Sequence, residues 1–123
     1  MTAAYCLALA LYFEARSEPI IGQLAVGAVI MNRVEHSEWP NTVCKVVWQK
    51  KQFSFTHDGK SDKPREKEAW NKAKAFANII LTTPLDYSKG SNHYHADYTS
   101  PDWAKFKHIK YQLTIGKHIF YKF

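Results

Sequence analysis

At 123 residues, 46% of them hydrophobic, the chain fits one domain, residues 1–123, with a core of its own. A charged fraction of 23% excludes a disordered chain. The 17 Lys and Arg exceed the 11 Asp and Glu to give a net charge of +6, which favours anionic partners. Apart from the adjacent Lys50 and Lys51, the basic residues stand singly, so a dedicated nucleic-acid groove is not expected.

Ala3–Phe13 is an unbroken apolar run that leads straight into Glu14. No basic residue precedes it, and no usable cleavage site follows, so it does not read as a signal peptide. It is shorter than the ~20 residues a membrane span needs. It reads as a central buried helix over Ala3–Ala15, ended by Ser17-Glu18-Pro19. A second, largely buried helix is expected from Gly22 to about Glu35, with Asn32, Arg33 and Glu35 bringing it to the surface. Trp39-Pro40-Asn41 is a turn, and Thr42 caps a short helix over Val43–Trp48. Lys50–Lys63 reads as a loop with a short strand near Gln52–Thr56 and a turn at Asp58-Gly59.

Pro64 opens the clearest amphipathic helix. Trp70, Ala73, Ala77, Ile80 and Leu81 recur on one face, and Lys67, Asn71, Lys74 and Asn78 on the other. Asn92–Tyr98 is expected to be extended, and Ser100–Trp103 a turn. Ile109, Tyr111, Leu113 and Ile115 alternate with polar residues, and Gly116-Lys117 suits a hairpin turn before His118–Phe123. The whole is an α+β domain, mainly helical with small antiparallel strands.

The chain contains two cysteines, Cys6 and Cys44, and no CxxC pair, which excludes a zinc knuckle and a thioredoxin motif. Cys6 in its apolar run reads as a buried free thiol, with a Cys6–Cys44 bridge as the alternative. A domain this size buries roughly two thirds of its unfolded surface and is expected to fold without metal or disulfide.

Glu14 is the first candidate for chemistry. On a helix it stands over Leu7, Ala10 and Leu11, near the negative end of the dipole. Burial and that dipole both raise a carboxyl pKa, and a carboxyl kept protonated near neutral pH is what a general acid requires. Arg16 opposes the shift if it turns inward; a surface Glu14 paired with Arg16 is the plainer alternative.

His93 and His95 are two apart and face one side of a strand. Such a pair can ligate zinc, with His57, His108, His118 or Asp97 as a third ligand, although no HExxH spacing supports it. Core or hydrogen-bonding histidines are the favoured reading, so no metal or cofactor is expected. Tyr94, Tyr98 and Tyr121, in strand or loop contexts, are candidates for a sugar groove, whereas Trp70 belongs to the core.

Several blocks occur in a definite order. Tyr12-Phe13-Glu14-Ala15-Arg16-Ser17-Glu18-Pro19 comes first, then Gly22-Gln23 and Val29-Ile30-Met31-Asn32-Arg33-Val34. Trp39-Pro40-Asn41-Thr42-Val43, Gln52-Phe53-Ser54 and His93-Tyr94-His95-Ala96-Asp97-Tyr98 follow, then Pro101-Asp102-Trp103-Ala104 and Ile115-Gly116-Lys117-His118-Ile119-Phe120-Tyr121. From about residue 5 to residue 121 this pattern resembles the SleB-like cell wall hydrolases, which include spore-cortex-lytic enzymes and related phage lysins.

The resemblance implies a lysozyme-like domain with Glu14 as the catalytic acid. It implies cleavage of the β-1,4 bond between N-acetylmuramic acid and N-acetylglucosamine in peptidoglycan, by a lytic transglycosylase or a muramidase. Ser17 departs from the glycine that usually follows Glu-Ala-Arg in the family. Members that work outside the cell are usually exported, whereas no export signal or separate wall-binding domain is expected here. A phage lysin made in a host cytoplasm and acting on the wall, as a monomer without a membrane anchor, reconciles the two.

Most glycosidases use two carboxylates, and Glu18 and Asp97 are the candidates for the second. A lytic transglycosylase works with one. Gln52 and Ser54, one residue apart on the expected strand, are candidates to bind the acetamido groups, and His95 and Tyr121 to orient Glu14 or the sugar. Competing readings are a zinc amidase or peptidase built on His93 and His95, and a non-enzymatic polyanion binder.

Overall fold

A computed structural model describes residues 1–50 and 52–123; Lys51, one member of the Lys50–Lys51 pair, lies outside the described residues. The order is α1 (Ala3–Ala15), α2 (Ile20–Val34), α3 (Val43–Val47), α4 (Lys67–Thr82), β1 (His93–Ala96), β2 (Lys110–Ile115) and β3 (His118–Lys122). This is the α+β architecture expected, mainly helical with one small antiparallel sheet of order β1-β3-β2. Among the described residues no helix is long and apolar enough to cross a membrane.

Helix α1 is the axis of the domain. Every residue from Cys6 to Tyr12 is buried, because α2, α3 and α4 cover different sides of it. Its apolar residues therefore need no stripe, and the helix is apolar all round. Thr2 caps its start, the hydroxyl accepting from the Tyr5 amide at 3.1 Å. Thr42 caps α3 in the same way, through the Lys45 amide.

Four sequence expectations are corrected. Cys6 is not a free thiol: it is bonded to Cys44, with Cα atoms 5.2 Å apart, which ties α1 to α3. Gln52–Thr56 is not a strand. Ser54–Thr56 forms a single 3-10 turn, which buries Phe53 and Phe55 together and holds Ser54 out. The amphipathic helix starts at Lys67 rather than Pro64. The Tyr12 hydroxyl takes the Arg65 and Glu66 amides at 3.2 and 2.9 Å, holding that segment extended against α1. Arg33 does not bring α2 to the surface; it is only 6% exposed.

In the terminal hairpin Tyr111 pairs with Tyr121 and Leu113 with Phe120, so Gln112 is an extra residue in β2. The bulge breaks the expected alternation. Leu113 packs against the core, while Tyr111 lies 60% exposed against the outer ring of Tyr121. The turn that closes the hairpin is fixed from outside. Glu18, just after α1, accepts the Lys117 amide at 2.9 Å. Gly116 there has φ +56, and a Cβ on it would stand 2.5 Å from the Glu18 carboxylate. Gly116→Ala is expected to lower the unfolding free energy by about 2 kcal/mol, from left-handed strain and loss of the Glu18 bond. A urea melt at neutral pH checks this.

Candidate functional site

Glu14 sits in the last turn of α1, half-buried, where the helix runs out beneath the sheet. From β1 the Tyr94 hydroxyl donates to its Oε1 at 2.9 Å. Tyr94 is fixed there because its ring packs on His118 and Phe120 of β3. Burial raises the Glu14 pKa above the ordinary 4.5, and the Tyr94 bond partly opposes this. The same burial, with Glu14 beside it, holds the Tyr94 phenol well above its ordinary value, so it remains a donor.

Arg16 does not turn toward Glu14. Its guanidinium pairs with Glu66 and donates to the Tyr12 carbonyl at 3.2 Å. The plainer alternative of an Arg16–Glu14 pair is thereby replaced by an Arg16–Glu66 pair.

A cleft of about 360 Å³ opens on one side of Glu14. Gln52, Ser54, Tyr94, His95 and Tyr98 line it with Glu14, so six of the seven site residues read from the sequence meet there. Gln52 and Ser54 arrive on a turn instead of a strand, and Tyr98 stands 83% exposed at the rim. Tyr121 does not line this cleft. It stacks on His95 at 5.3 Å, its hydroxyl 2.9 Å from Nε2, and so acts on the site only through His95. His95 Nδ1 lies 2.7 Å from the Ala96 carbonyl and donates to it, so the ring is held at both nitrogens, by that carbonyl and by the Tyr121 hydroxyl.

Two further titratable residues of the cleft were not among the candidates for it. Arg33 reaches in from α2, donating through Nε to the Asn92 carbonyl at 2.8 Å and through Nη1 to Gln52 Oε1 at 3.2 Å. Its guanidinium lies over Trp39 and Phe53, and among the described residues it pairs with no carboxylate. The signal was a charge at the end of an otherwise apolar α2, misread as a surfacing residue. His118 also lines the cleft, and burial lowers its pKa although Glu18 pulls the other way. Its position followed from the alternation of β3, which points His118 and Phe120 inward.

The second carboxylate sought in the sequence is in neither expected place. Glu18 is only 8% exposed and held by the Lys117 amide, and Asp97 is exposed outside the cleft. A second cleft, of about 420 Å³, opens on the other side of Glu14 and Phe13. The carboxylate there is Glu66, already paired with Arg16.

His93 and His95 do share a face, and both pack on Trp103. His93 Nδ1 lies 2.9 Å from the Asn92 side chain, and burial with Arg33 behind it pushes its pKa down to about 4. Among the described residues no three His, Cys, Asp or Glu side chains converge as metal ligands.

The model of the cell wall hydrolase family matches residues 17–121. A spore cortex-lytic enzyme of Bacillus cereus is 37% identical over 119 residues, covering 94% of this chain and 42% of that protein. One of Oceanobacillus iheyensis is 35% identical over 124 residues, covering 94% of this chain and 40% of that protein. The chain thus spans about two fifths of the length of these relatives. Among solved structures, the catalytic domain of the germination-specific lytic transglycosylase SleB of Bacillus anthracis is 33% identical, with a TM-score of 0.81. That likeness covers 98% of this chain and 93% of the other. The catalytic domain of the Bacillus cereus SleB protein is 31% identical with a TM-score of 0.76, covering 98% and 89%.

Proposed function

Because the chain belongs to the cell wall hydrolase family, we propose that it cleaves peptidoglycan glycan strands as a lytic transglycosylase, with Glu14 as acid and base. The observation that carries this reading is the half-buried Glu14 carboxyl, with raised pKa, set between two clefts on a fold shared with a lytic transglycosylase catalytic domain. The bond cut is the β-1,4 link from N-acetylmuramic acid to N-acetylglucosamine.

Protonated Glu14 gives its proton to the glycosidic oxygen as the bond to C1 breaks, and N-acetylglucosamine leaves with a free 4-hydroxyl. The muramoyl acetamido oxygen stabilises the cationic centre, which removes the need for a second protein carboxylate. The Glu14 carboxylate then takes the proton of the muramoyl 6-hydroxyl as that oxygen closes onto C1. The product is a 1,6-anhydro end, and Glu14 is protonated again. Arg33 holds Gln52 in place, so Gln52 and Ser54 present hydrogen-bonding groups to the acetamido positions. Tyr98 offers its exposed ring to a sugar, while Tyr121 fixes His95.

The place of action is the bacterial wall. The Cys6–Cys44 bridge supports this, since such bonds persist outside a reducing cytoplasm. A lysin made in a host cytoplasm and oxidised after release fits the same bond.

Digestion of purified peptidoglycan followed by mass spectrometry tests the proposal. Anhydro-muramoyl ends, one water lighter than reducing ends, are expected. Reducing ends mean a hydrolytic muramidase, and cut peptide stems on intact glycan mean an amidase or peptidase. Binding without any cleavage means a polyanion binder.

The Tyr94 bond supplies a pH test. That bond lowers the Glu14 pKa, so Tyr94→Phe raises it further. A general acid is active while protonated, and the alkaline limb of the kcat/KM profile reports its pKa. Tyr94→Phe is expected to move that limb to higher pH. An unmoved limb assigns it to another group.

A further inference from the structure

His118 is buried, lines the Glu14 cleft, and has no part in the proton transfers of Glu14. It opens β3, and its ring packs on Tyr94, the residue whose hydroxyl holds Glu14. One phenol therefore touches both the acid and the imidazole. Of the two ring nitrogens, Nδ1 is shut away from solvent without a hydrogen-bond partner, whereas Nε2 is not sealed in this way. Behind Nδ1, 3.7 Å away, stands Glu18 Oε1, and the Glu18 side chain is itself only 8% exposed. That distance is too long for a hydrogen bond, but catalytic bonds are often long before substrate binds and close with it.

Burial favours the neutral imidazole, while Glu18 and Asp97 favour the charged form and His95 opposes it. With a carboxylate behind Nδ1, the proton of the neutral ring sits on Nδ1, and Nε2 keeps its lone pair for the cleft. Such a pair accepts a hydrogen bond and has an anion behind it to balance positive charge. Glu18 also accepts the Lys117 amide, so the residue that pins the hairpin turn stands behind the ring that follows it.

We propose that His118, backed by Glu18, accepts the N–H of the muramoyl acetamido group while the oxygen of that group attacks C1, an inference that rests on the glycan-cleaving reading. As Glu14 protonates the leaving oxygen, the acetamido oxygen places a lone pair on C1. The electron pair of the glycosidic bond leaves with N-acetylglucosamine. The acetamido group is now a cation, its N–H is more acidic, and its bond to Nε2 strengthens. When the 6-hydroxyl oxygen closes onto C1, the acetamido oxygen takes its electron pair back and the N–H is that of an ordinary amide again. A bond stronger in the transition state than in the ground state acts on kcat and leaves KM alone. Glu18 thus serves as the second carboxylate at one remove from the sugar, as a positioning residue.

The test uses His118→Phe, which keeps an aromatic ring against Tyr94 and Phe120 but has no acceptor, and Glu18→Gln, which keeps an oxygen for the Lys117 amide but loses the charge. On purified glycan strands His118→Phe is expected to lower kcat about 10²-fold with KM little changed. Glu18→Gln is expected to lower kcat about tenfold, the worth of one charge-assisted hydrogen bond, with an unchanged urea midpoint. Unchanged kcat in either variant overturns the proposal. A kcat loss in Glu18→Gln that comes with a lowered midpoint assigns Glu18 to the turn alone and also overturns it.

Binding of N-acetylmuramoyl thiazoline, a ring-closed mimic of the cyclised acetamido group, reads the site independently of turnover. Wild type is expected to bind it, and both variants to bind it about tenfold more weakly. No binding to wild type, or equal binding to all three proteins, overturns the proposal. If wild type cuts no glycan strand yet binds the thiazoline through His118, the glycan-cleaving reading fails and the acetamido site stands.

Discussion

Glu14→Gln is expected to lower the rate of glycan cleavage by about 10²–10⁴-fold, the usual contribution of a positioned general acid and base. Gln keeps the size of the side chain and still offers an oxygen to the Tyr94 hydroxyl, but it has no proton to give to a glycosidic oxygen. Substrate binding, which depends on the cleft walls, should change little, so the loss falls on kcat. The same substitution makes a stability prediction of known sign. The folded-state pKa of Glu14 is raised above the ordinary 4.5, so the native state holds a proton that the unfolded chain releases. Wild type therefore loses stability as pH rises from 4.5 through the folded pKa of Glu14. Glu14→Gln removes that loss. It should match wild type in urea melts at low pH and exceed it near neutrality. A variant that is inactive and equally destabilised at all pH values would point to misfolding in place of lost catalysis. Full retention of activity would remove Glu14 from the mechanism.

How far the sequence disclosed this site depends on where each residue stands. Helix α1 was plain because a run apolar on every side has one stable place, the middle of the domain, and Glu14 ends that run. The hairpin was plain from alternation and Gly116, apart from the bulge at Gln112, which no period of two can foretell. The Gln52–Thr56 segment was misread because two buried phenylalanines at spacing two mimic a strand, whereas a tight turn buries the same pair. Arg33 was misread for a different reason. Its burial is compensated by a backbone carbonyl, a glutamine and two aromatic faces, partners that lie 6 to 59 residues away in the chain. The start of α4 was misplaced because the Tyr12 hydroxyl, from α1, takes the amides that would have begun it. Local signals located the elements; the groups that decide their ends and their charges come from elsewhere in the fold.

The disulfide is the other feature with a large expected effect. Cys6 and Cys44 are 38 residues apart in sequence, and closing a loop of that length is worth about 4 kcal/mol through loss of unfolded-state entropy. Against the 5–15 kcal/mol total typical of a domain, that is roughly a third or more of the stability. The Cys6→Ala/Cys44→Ala variant, or wild type held in reductant, should show a urea midpoint lowered accordingly and a Tm lower by on the order of 15 °C. The fold should survive, since α1 stays enclosed by α2, α3 and α4 through Leu7, Leu9 and Leu11, and the sulfurs add little to that packing. Activity at 25 °C should also survive, because Cys6 and Glu14 lie about two helical turns apart, roughly 12 Å along α1. The bridge therefore acts on endurance and Glu14 on rate, and the two losses should be separable in one protein. If the oxidised and reduced forms melt together, the bond is unformed in solution, and the support it lends to a place of action outside the cytoplasm goes with it.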